Sequence, residues 1–289
     1  MQQSDFNHRL KMIEYHNLNG VIVKANEAQI FVNDVGLLRG YGIFDFFPVA
    51  NFIPLFEQDY FDRFYGSAAL MNLEVPVSRQ ELHDRVVELA HKNQMSKGYA
   101  KLVLTGGYAI DGYTPSKSNL YILQHPDYLK DPMVYDQGVT LLLQRYLKDQ
   151  PRIKTLHYAN ALKNRDALAN ANAMDLLYHD GRFIRETSRA NFFLIDEDGI
   201  IHTTEANVLS GITRKHVIKL AKREGMTVVE APLPIAKIIS AQECFITSTT
   251  KGVLSVSKIN DYSIGTGQAG QISLLLQDLF LKYCEEQSA

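Results

Sequence analysis

The chain has 289 residues, 46% hydrophobic and 21% charged, with a formal net charge of -2. That is enough for one large or two medium domains with real cores, and it is an ordinary globular composition. No basic tract invites nucleic acid or a membrane surface, and no apolar run approaches the length of a membrane span. The first fourteen residues lack the apolar segment of a secretory signal. Cys244 and Cys284 have no metal-ligand spacing and read as thiols of a reducing compartment, so a cytoplasmic protein is expected.

Residues 1 to 11 are polar and read as loose. Met12 to His16 and Val21 to Val23 flank Asn17-Leu18-Asn19-Gly20, a hairpin pattern. The run from Gly36 to Gly42 has glycines at 36, 40 and 42, which permits tight turning or the close approach of another backbone. Ile43 to Val49 is expected to be a strand. Tyr60, Phe61, Phe64, Ala68 and Met71 recur at spacings of three and four, predicting a helix from Glu57 to Met71. Ser78 and Glu81 form a capping box for a helix to about His91. Strands are expected at Tyr99 to Thr105 and Asn119 to Gln124, joined by a flexible loop from Gly106 to Ser118. Residues 126 to 137, with two prolines, are the linker candidate, separating a small N-terminal domain (1–125) from a larger one (138–289).

The second half alternates strands and helices. Val139 to Arg145 predicts a strand, Ala159 to Met174 a helix, and Asp180-Gly181 and Asp198-Gly199 two hairpin turns. A helix at Thr213 to Glu224, strands at Thr227 to Glu230 and Glu243 to Thr247, and a closing helix at Gly270 to Cys284 follow. That last helix would have Ile272, Leu275, Leu276, Leu279, Phe280 and Tyr283 on one side. Strands and helices are mixed in both halves, which makes the class α/β or α+β.

Lys154 sits on the short connection between the Val139 strand and the Tyr158 helix, where a side chain can enter a cleft from rigid supports. Arg145 and Arg152 are cationic neighbours that would lower its pKa, and a lysine so tuned can form a Schiff base. Gly211-Ile212-Thr213 opens a helix, where free N–H groups suit a phosphate or the residues serve as a plain cap. Ser248-Thr249-Thr250 offers a second anion cradle, or a turn whose hydroxyls bond their own backbone. Glu186 closes a hairpin strand and matters if it is buried against a cation. Arg63 lies on the apolar stripe of its helix, placed either for a carboxylate, such as Asp59, or for an anion. The Gly265-Thr-Gly-Gln-Ala-Gly270 run matches a dinucleotide-binding pattern, yet too little chain follows for a βαβ unit, so it reads as a turn. A lysine, two anion cradles, a carboxylate and an arginine together suit pyridoxal phosphate.

These segments resemble the fold-type IV pyridoxal-phosphate enzymes: branched-chain aminotransferases, D-amino acid aminotransferases and aminodeoxychorismate lyases. The resemblance runs from about Tyr15 to Phe280 and rests on Asp62-Arg63, Ile153-Lys154-Thr155, Glu186 with Asn191-Phe192-Phe193, Gly211-Ile212-Thr213-Arg214 and Thr247-Ser248-Thr249-Thr250. It implies that Lys154 holds the cofactor and moves the substrate proton, and that Glu186 faces the pyridine nitrogen. Arg63, the Gly211-Ile212-Thr213 amides, Ser248 and Thr249 would hold the phosphate. Leu209 would pack on the ring, and Tyr158 would stand against the cofactor hydroxyl. It further implies a homodimer. Phe44, Tyr99, Lys101 and Thr250 would meet the substrate.

The chain departs from the family pattern at several points. Val35 replaces an arginine, Arg39 an aromatic, Tyr41 an aspartate and Asp45 a glutamate; His157 stands for asparagine and Thr187 for glycine. The Arg-x-His pair of the D-amino acid enzymes is absent, with Asp111 and Tyr113 in its place. The Tyr-x-Arg of branched-chain enzymes becomes Tyr99-Ala100-Lys101. The expected activity is amino transfer between an amino acid, L-branched-chain-like, and a 2-oxo acid. A lyase, a D-amino acid transferase and a silent binding protein of the same fold are the alternatives.

Overall fold

The computed structural model describes residues 13–127 and 132–288. The loose reading of residues 1 to 11 and part of the linker, 128–131, lie outside them. The described chain forms two compact units. Residues 13–127, 153–157 and 287–288 make the first, and 132–152 with 158–286 the second. The short segment that carries Lys154 therefore packs with the N-terminal unit.

In the first unit, strands β1 (Tyr15–Leu18), β2 (Val21–Lys24), β3 (Gly42–Ala50), β4 (Ile53–Pro54), β5 (Lys97–Thr105) and β6 (Asn119–Pro126) form a six-stranded sheet in the order β2-β1-β6-β5-β3-β4. The first hairpin turns on Asn19 and Gly20 alone, both at positive φ, so Asn17 and Leu18 belong to β1. The glycine run is a short helix, α1 (Val35–Arg39), capped by the Asp34 carboxylate and ended by Gly40 in the left-handed region. Helices α2 (Glu57–Leu70) and α3 (Arg79–Lys92) cover one sheet face. Phe47 and Ile43 from β3 and Leu102 and Leu104 from β5 are buried there with Phe61, Phe64, Leu82 and Leu89. Burying each such side chain contributes roughly 1.5–3 kcal/mol, which is what holds the helices to the sheet. The capping box is half made: Ser78 accepts the Glu81 amide at 3.2 Å, while the Glu81 carboxylate turns to Arg85.

The loop from Gly106 to Ser118, expected to be flexible, is tied by its own side chains. The Asp111 carboxylate accepts the Tyr113 and Thr114 amides and the Thr114 hydroxyl. These hydrogen bonds pull its pKa down to about 2.

In the second unit, α4 (Pro132–Gln137) precedes β7 (Val139–Arg145), so the end of the linker candidate is helical. The helix expected over Ala159 to Met174 is two pieces, α5 (Ala159–Lys163) and α6 (Arg165–Asn170). Asn164 divides them. Its side chain donates to the Asn160 carbonyl at 2.7 Å, which diverts the backbone from continuous helix. Strands β8 (Asp175–His179), β9 (Phe183–Thr187), β10 (Asn191–Ile195) and β11 (Ile201–Thr203) follow, then α7 (Ile212–Arg223), β12 (Val228–Glu230), β13 (Leu233–Pro234), β14 (Glu243–Ser248), β15 (Gly252–Ile259) and β16 (Tyr262–Ser263). The sheet order is β12-β11-β10-β14-β15-β7-β8-β9-β13. A further pairing of Asn191 with Glu186 joins β10 to β9 and closes the path into a ring around Leu141, Leu177, Phe192, Ile246 and Leu254. The sequence expectation of an α/β protein holds in both units.

The last helix, α8 (Gln271–Ser288), buries Ser273, Leu276, Gln277 and Phe280 rather than the purely apolar stripe expected, and Leu275 is exposed. Polar bonds set its rotation. The Gln277 side-chain oxygen accepts the Val253 amide, and Glu243 accepts the Ile272 and Ser273 amides. The Gly265–Gly270 run is a turn, as expected, and the helix N-terminus behind it is filled by the Glu243 carboxylate.

Candidate active site

The second unit contains a hydrogen-bonded knot at the end of β9. Glu186 is 3% exposed. One carboxylate oxygen accepts the Leu209 amide at 3.1 Å and the Asn191 side-chain amide at 3.4 Å. Asn191 also donates to the Leu209 carbonyl at 2.8 Å. A Cβ on Gly211 would come 2.0 Å from the Asn191 side-chain oxygen, so glycine is required for this approach. Below the knot, buried Asp175 accepts the Thr187 and Ser188 hydroxyls and faces Arg189 at 3.6 Å, bracing the strand end.

Gly211 is the N-cap of α7 and no side chain caps that helix, so its first amides stay available to an anion. Thr247 pairs across the sheet with Asn191. The hydroxyls of Thr247 and Ser248 are buried without a hydrogen-bond partner. The orphaned Thr247 hydroxyl shares the sheet face of Asn191, beside the uncapped helix N-terminus, and fits a phosphate there, and a buried carboxylate fits a protonated ring nitrogen. Thr249, Thr250 and Lys251 form the turn after β14, with the Lys251 amide bonded to the Ser248 carbonyl. Burial and then the charge of Arg189 push the Lys251 ammonium down to about 8, against a smaller opposing pull from Asp175. Tyr158 precedes α5. Burial and then the Glu186 charge raise its phenol pKa, so it stays protonated as a hydrogen-bond donor.

The cation found at Glu186 is one the sequence reading passed over. Lys148 Nζ lies 2.9 Å from the other Glu186 oxygen and also donates to the Thr187 and Ser188 carbonyls at 3.4 and 3.3 Å. It lines a cleft of about 240 Å³ with Tyr146, Pro151, Tyr178 and Arg185. Arg152 is exposed, and Arg145 stands against the Gly181 turn. Nothing in the spacing of these three cations marks Lys148; the curl of the chain after β7 selects it.

In the first unit, the Lys154 segment lies along β3. The Phe44 amide donates to the Lys154 carbonyl at 2.9 Å, Thr155 bridges Ile43, and the Leu156 amide donates to the Gly42 carbonyl. A Cβ at 42 would come 2.7 Å from the Leu104 carbonyl and 2.8 Å from the Leu156 side chain, and Gly40 combines a φ of 67° with His157 2.9 Å from where its Cβ would be, which explains both glycines. Register places Lys101 opposite Phe46, and Tyr99 opposite Pro48 and His125, so these share the sheet face of Phe44. Lys154 Nζ and Lys101 Nζ both stand over the Phe44 ring, 4.7 and 4.9 Å from its centre. Tyr99 is buried and stacks on Phe46 at 5.0 Å. Burial lowers the Lys101 pKa. Burial, then Lys101 and His16, push His125 down to about 4.

Arg63 makes a two-pronged ion pair with Asp45, at 2.6 and 2.9 Å. Asp45 points to the helix-covered face, opposite Phe44. The aspartate that departs from the family's glutamate is therefore the arginine's partner.

A family model described as Amino-transferase class IV matches residues 42–259. A putative branched-chain-amino-acid aminotransferase of Methanocaldococcus jannaschii is 31% identical over 275 residues, 91% of this chain and 94% of that protein. A D-alanine aminotransferase of Staphylococcus aureus is 29% identical over 287 residues, 94% of this chain and 98% of that one. Among solved structures, a branched-chain amino acid aminotransferase of Escherichia coli superposes with a TM-score of 0.86 at 22% identity, covering 96% of each chain. Another branched-chain amino acid aminotransferase, solved with pyridoxamine 5'-phosphate, superposes with a TM-score of 0.87 at 24% identity, covering 95% of each chain. The chain belongs to the class IV aminotransferases, with the fold-type IV architecture. It is an enzyme of the transferase class. No helix among the described residues is long and apolar enough to cross a membrane.

Proposed function

We propose that this aminotransferase takes its amino group from an amino acid with an aliphatic side chain, L-branched-chain-like, and delivers it to a 2-oxo acid. The observation that carries the reading is the pair of ammoniums over Phe44. Lys154 would hold the cofactor and move the proton at the substrate Cα. Lys101 would attract the substrate carboxylate, and the rings of Phe44 and Phe46 would favour an aliphatic side chain. Thr250 would touch the substrate from the hydroxyl turn. When bound, the cofactor's protonated ring draws in the electron pair left at Cα. Glu186 would hold that ring nitrogen charged, and Tyr158 would stand at the ring hydroxyl. Leu209 would pack on the ring. The Ile212 and Thr213 amides, Ser248, Thr249 and Arg63 would hold the phosphate.

The homodimer belongs to the same proposal. The first unit exposes Phe31, Val32, Leu37, Leu38, Ile110 and Tyr113, and Leu38 lies against Gly112 in the tied loop. An apolar patch of this kind suits a second copy of the chain. Light scattering is expected to give a dimer, and a stable, fully active monomer would refute it.

A second reading, D-amino acid transfer, is favoured by the likeness to D-alanine aminotransferases. The deciding experiment is a donor screen with L-leucine, D-alanine and L-glutamate against pyruvate and 2-oxoglutarate. Turnover of L-leucine supports the first reading and turnover of D-alanine alone the second. Release of pyruvate from aminodeoxychorismate without an acceptor would mark a lyase.

A further inference from the structure

The ion pair between Lys148 and Glu186 has no place in the sequence reading. Glu186 is almost wholly buried, and a buried carboxylate without a counter-charge takes up a proton or finds another partner. Its second oxygen is occupied by the Leu209 amide and Asn191. These donors fix its direction and carry no formal charge. Lys148 supplies the charge, at 2.9 Å, on the first oxygen. Its other hydrogen bonds, to the Thr187 and Ser188 carbonyls, clamp the ammonium to the backbone just beyond Glu186. A carboxylate has about four lone-pair sites, so Lys148, Leu209 and Asn191 leave room for one more donor. The phenols of Tyr158 and Tyr178 also lie within electrostatic reach of Glu186, and burial keeps both protonated, Tyr178 at about 12. Among the described residues, Lys148 is thus the cation in contact with this carboxylate.

We propose that Lys148 is a positioning residue: it holds Glu186 as a fixed anion before the cofactor arrives, so that the ring nitrogen meets a carboxylate already charged and aimed. The inference rests on the reading that Glu186 partners the ring nitrogen. Lys148 itself stands on the loop after β7, its side chain about one-third exposed, so it enters from the cleft side and touches no reacting atom by this assignment.

The test uses the full-length protein as Lys148→Met, Lys148→Arg, Glu186→Gln and the Lys148→Met/Glu186→Gln double variant. Thermal midpoints of the cofactor-free proteins are read from pH 5 to pH 8. In Lys148→Met the unpaired buried carboxyl holds its proton to higher pH than in the unfolded chain. The folded state then binds more protons, and stability relative to wild type falls as pH rises. The double variant has no carboxyl at 186 and should lose that slope, and Lys148→Arg should not develop it. Cofactor affinity by equilibrium dialysis should weaken on the order of tenfold in Lys148→Met, about 1.4 kcal/mol, and recover in Lys148→Arg. Equal pH slopes and equal affinity in wild type and Lys148→Met would overturn the inference. The reading of Glu186 fails separately, if Glu186→Gln transaminates at the wild-type rate.

Discussion

The two units solve different problems with different materials. The knot around Glu186 is built from backbone amides, an asparagine, a glycine and a helix start, all fixed by hydrogen bonds of defined direction. The face around Phe44 is built from stacked rings and ammoniums, whose attraction is broad and weakly directional. The first kind of site can hold one rigid cofactor in one pose. The second can accept substrates of varied shape, and a change there should alter preference more than it alters chemistry. Changes to Lys154 and to the knot are therefore expected to cost turnover, and changes elsewhere on the Phe44 face to redistribute it.

The largest effect is expected at Lys154, the one residue on the Phe44 face assigned to the chemical step. Lys154→Ala should lower transamination by about 10³-fold or more, since the assignment gives the proton at Cα no other base. Borohydride reduction of the wild type should leave the cofactor on a single peptide containing Lys154. Labelling elsewhere would remove Lys154 from the mechanism. Next comes Glu186→Gln, which keeps the shape of the knot and removes its charge. The cofactor should remain bound, and the half-reaction should slow by about 10²–10³-fold in stopped-flow absorbance. An unchanged half-reaction would show that the knot is structural only.

The contrast also explains what could be read in advance. Gly211-Ile212-Thr213 and the Thr247–Thr250 run were legible because helix starts and hydroxyl turns are local in sequence. Glu186 was visible, but its partner was not: Lys148 is thirty-eight residues away, chosen by how a loop folds back. The apolar stripe marks Arg63 for an anion or a carboxylate, and a carboxylate it meets is Asp45, eighteen positions earlier on a neighbouring strand and invisible to helical spacing. Register, not composition, brings Lys101 and Tyr99 onto the face of Phe44, although strand alternation already placed those two together. Asn164 shows the limit of periodicity, since the apolar spacing of 159–174 could not reveal that one side chain interrupts the helix.

Lys101 tests the weakly directional face. Lys101→Met should raise KM for 2-oxoglutarate about tenfold and leave kcat nearly unchanged, because the ammonium attracts the anion equally in ground and transition states. Lys101→Arg should lower that KM through two-point contact. The wild-type KM should rise with pH below the usual lysine range, since burial lowers the Lys101 pKa. Indifference of every acceptor to both changes would place Lys101 outside the substrate path.

The smallest effect is expected at Lys251, and it sharpens the comparison from the side of stability. Its ammonium is pushed down to about 8, first by burial and then by Arg189, with Asp175 opposing. In the unfolded chain the same group titrates near 10.5. Between those values the unfolded state holds a proton that the folded state has released. The slope of unfolding free energy with pH follows the difference in bound protons, so this group makes the folded protein more stable as pH rises from about 8 toward 10.5. Lys251→Met removes the titration. Urea denaturation of the cofactor-free protein at intervals across that window should therefore show wild type gaining on Lys251→Met as pH increases. The turn that follows β14 holds the Ser248 carbonyl through the Lys251 amide, a bond that Met retains, so cofactor affinity should change little. Parallel pH curves for the two proteins would mean that the ammonium is solvated, and that the hydroxyl turn is less enclosed than the knot it faces across the sheet.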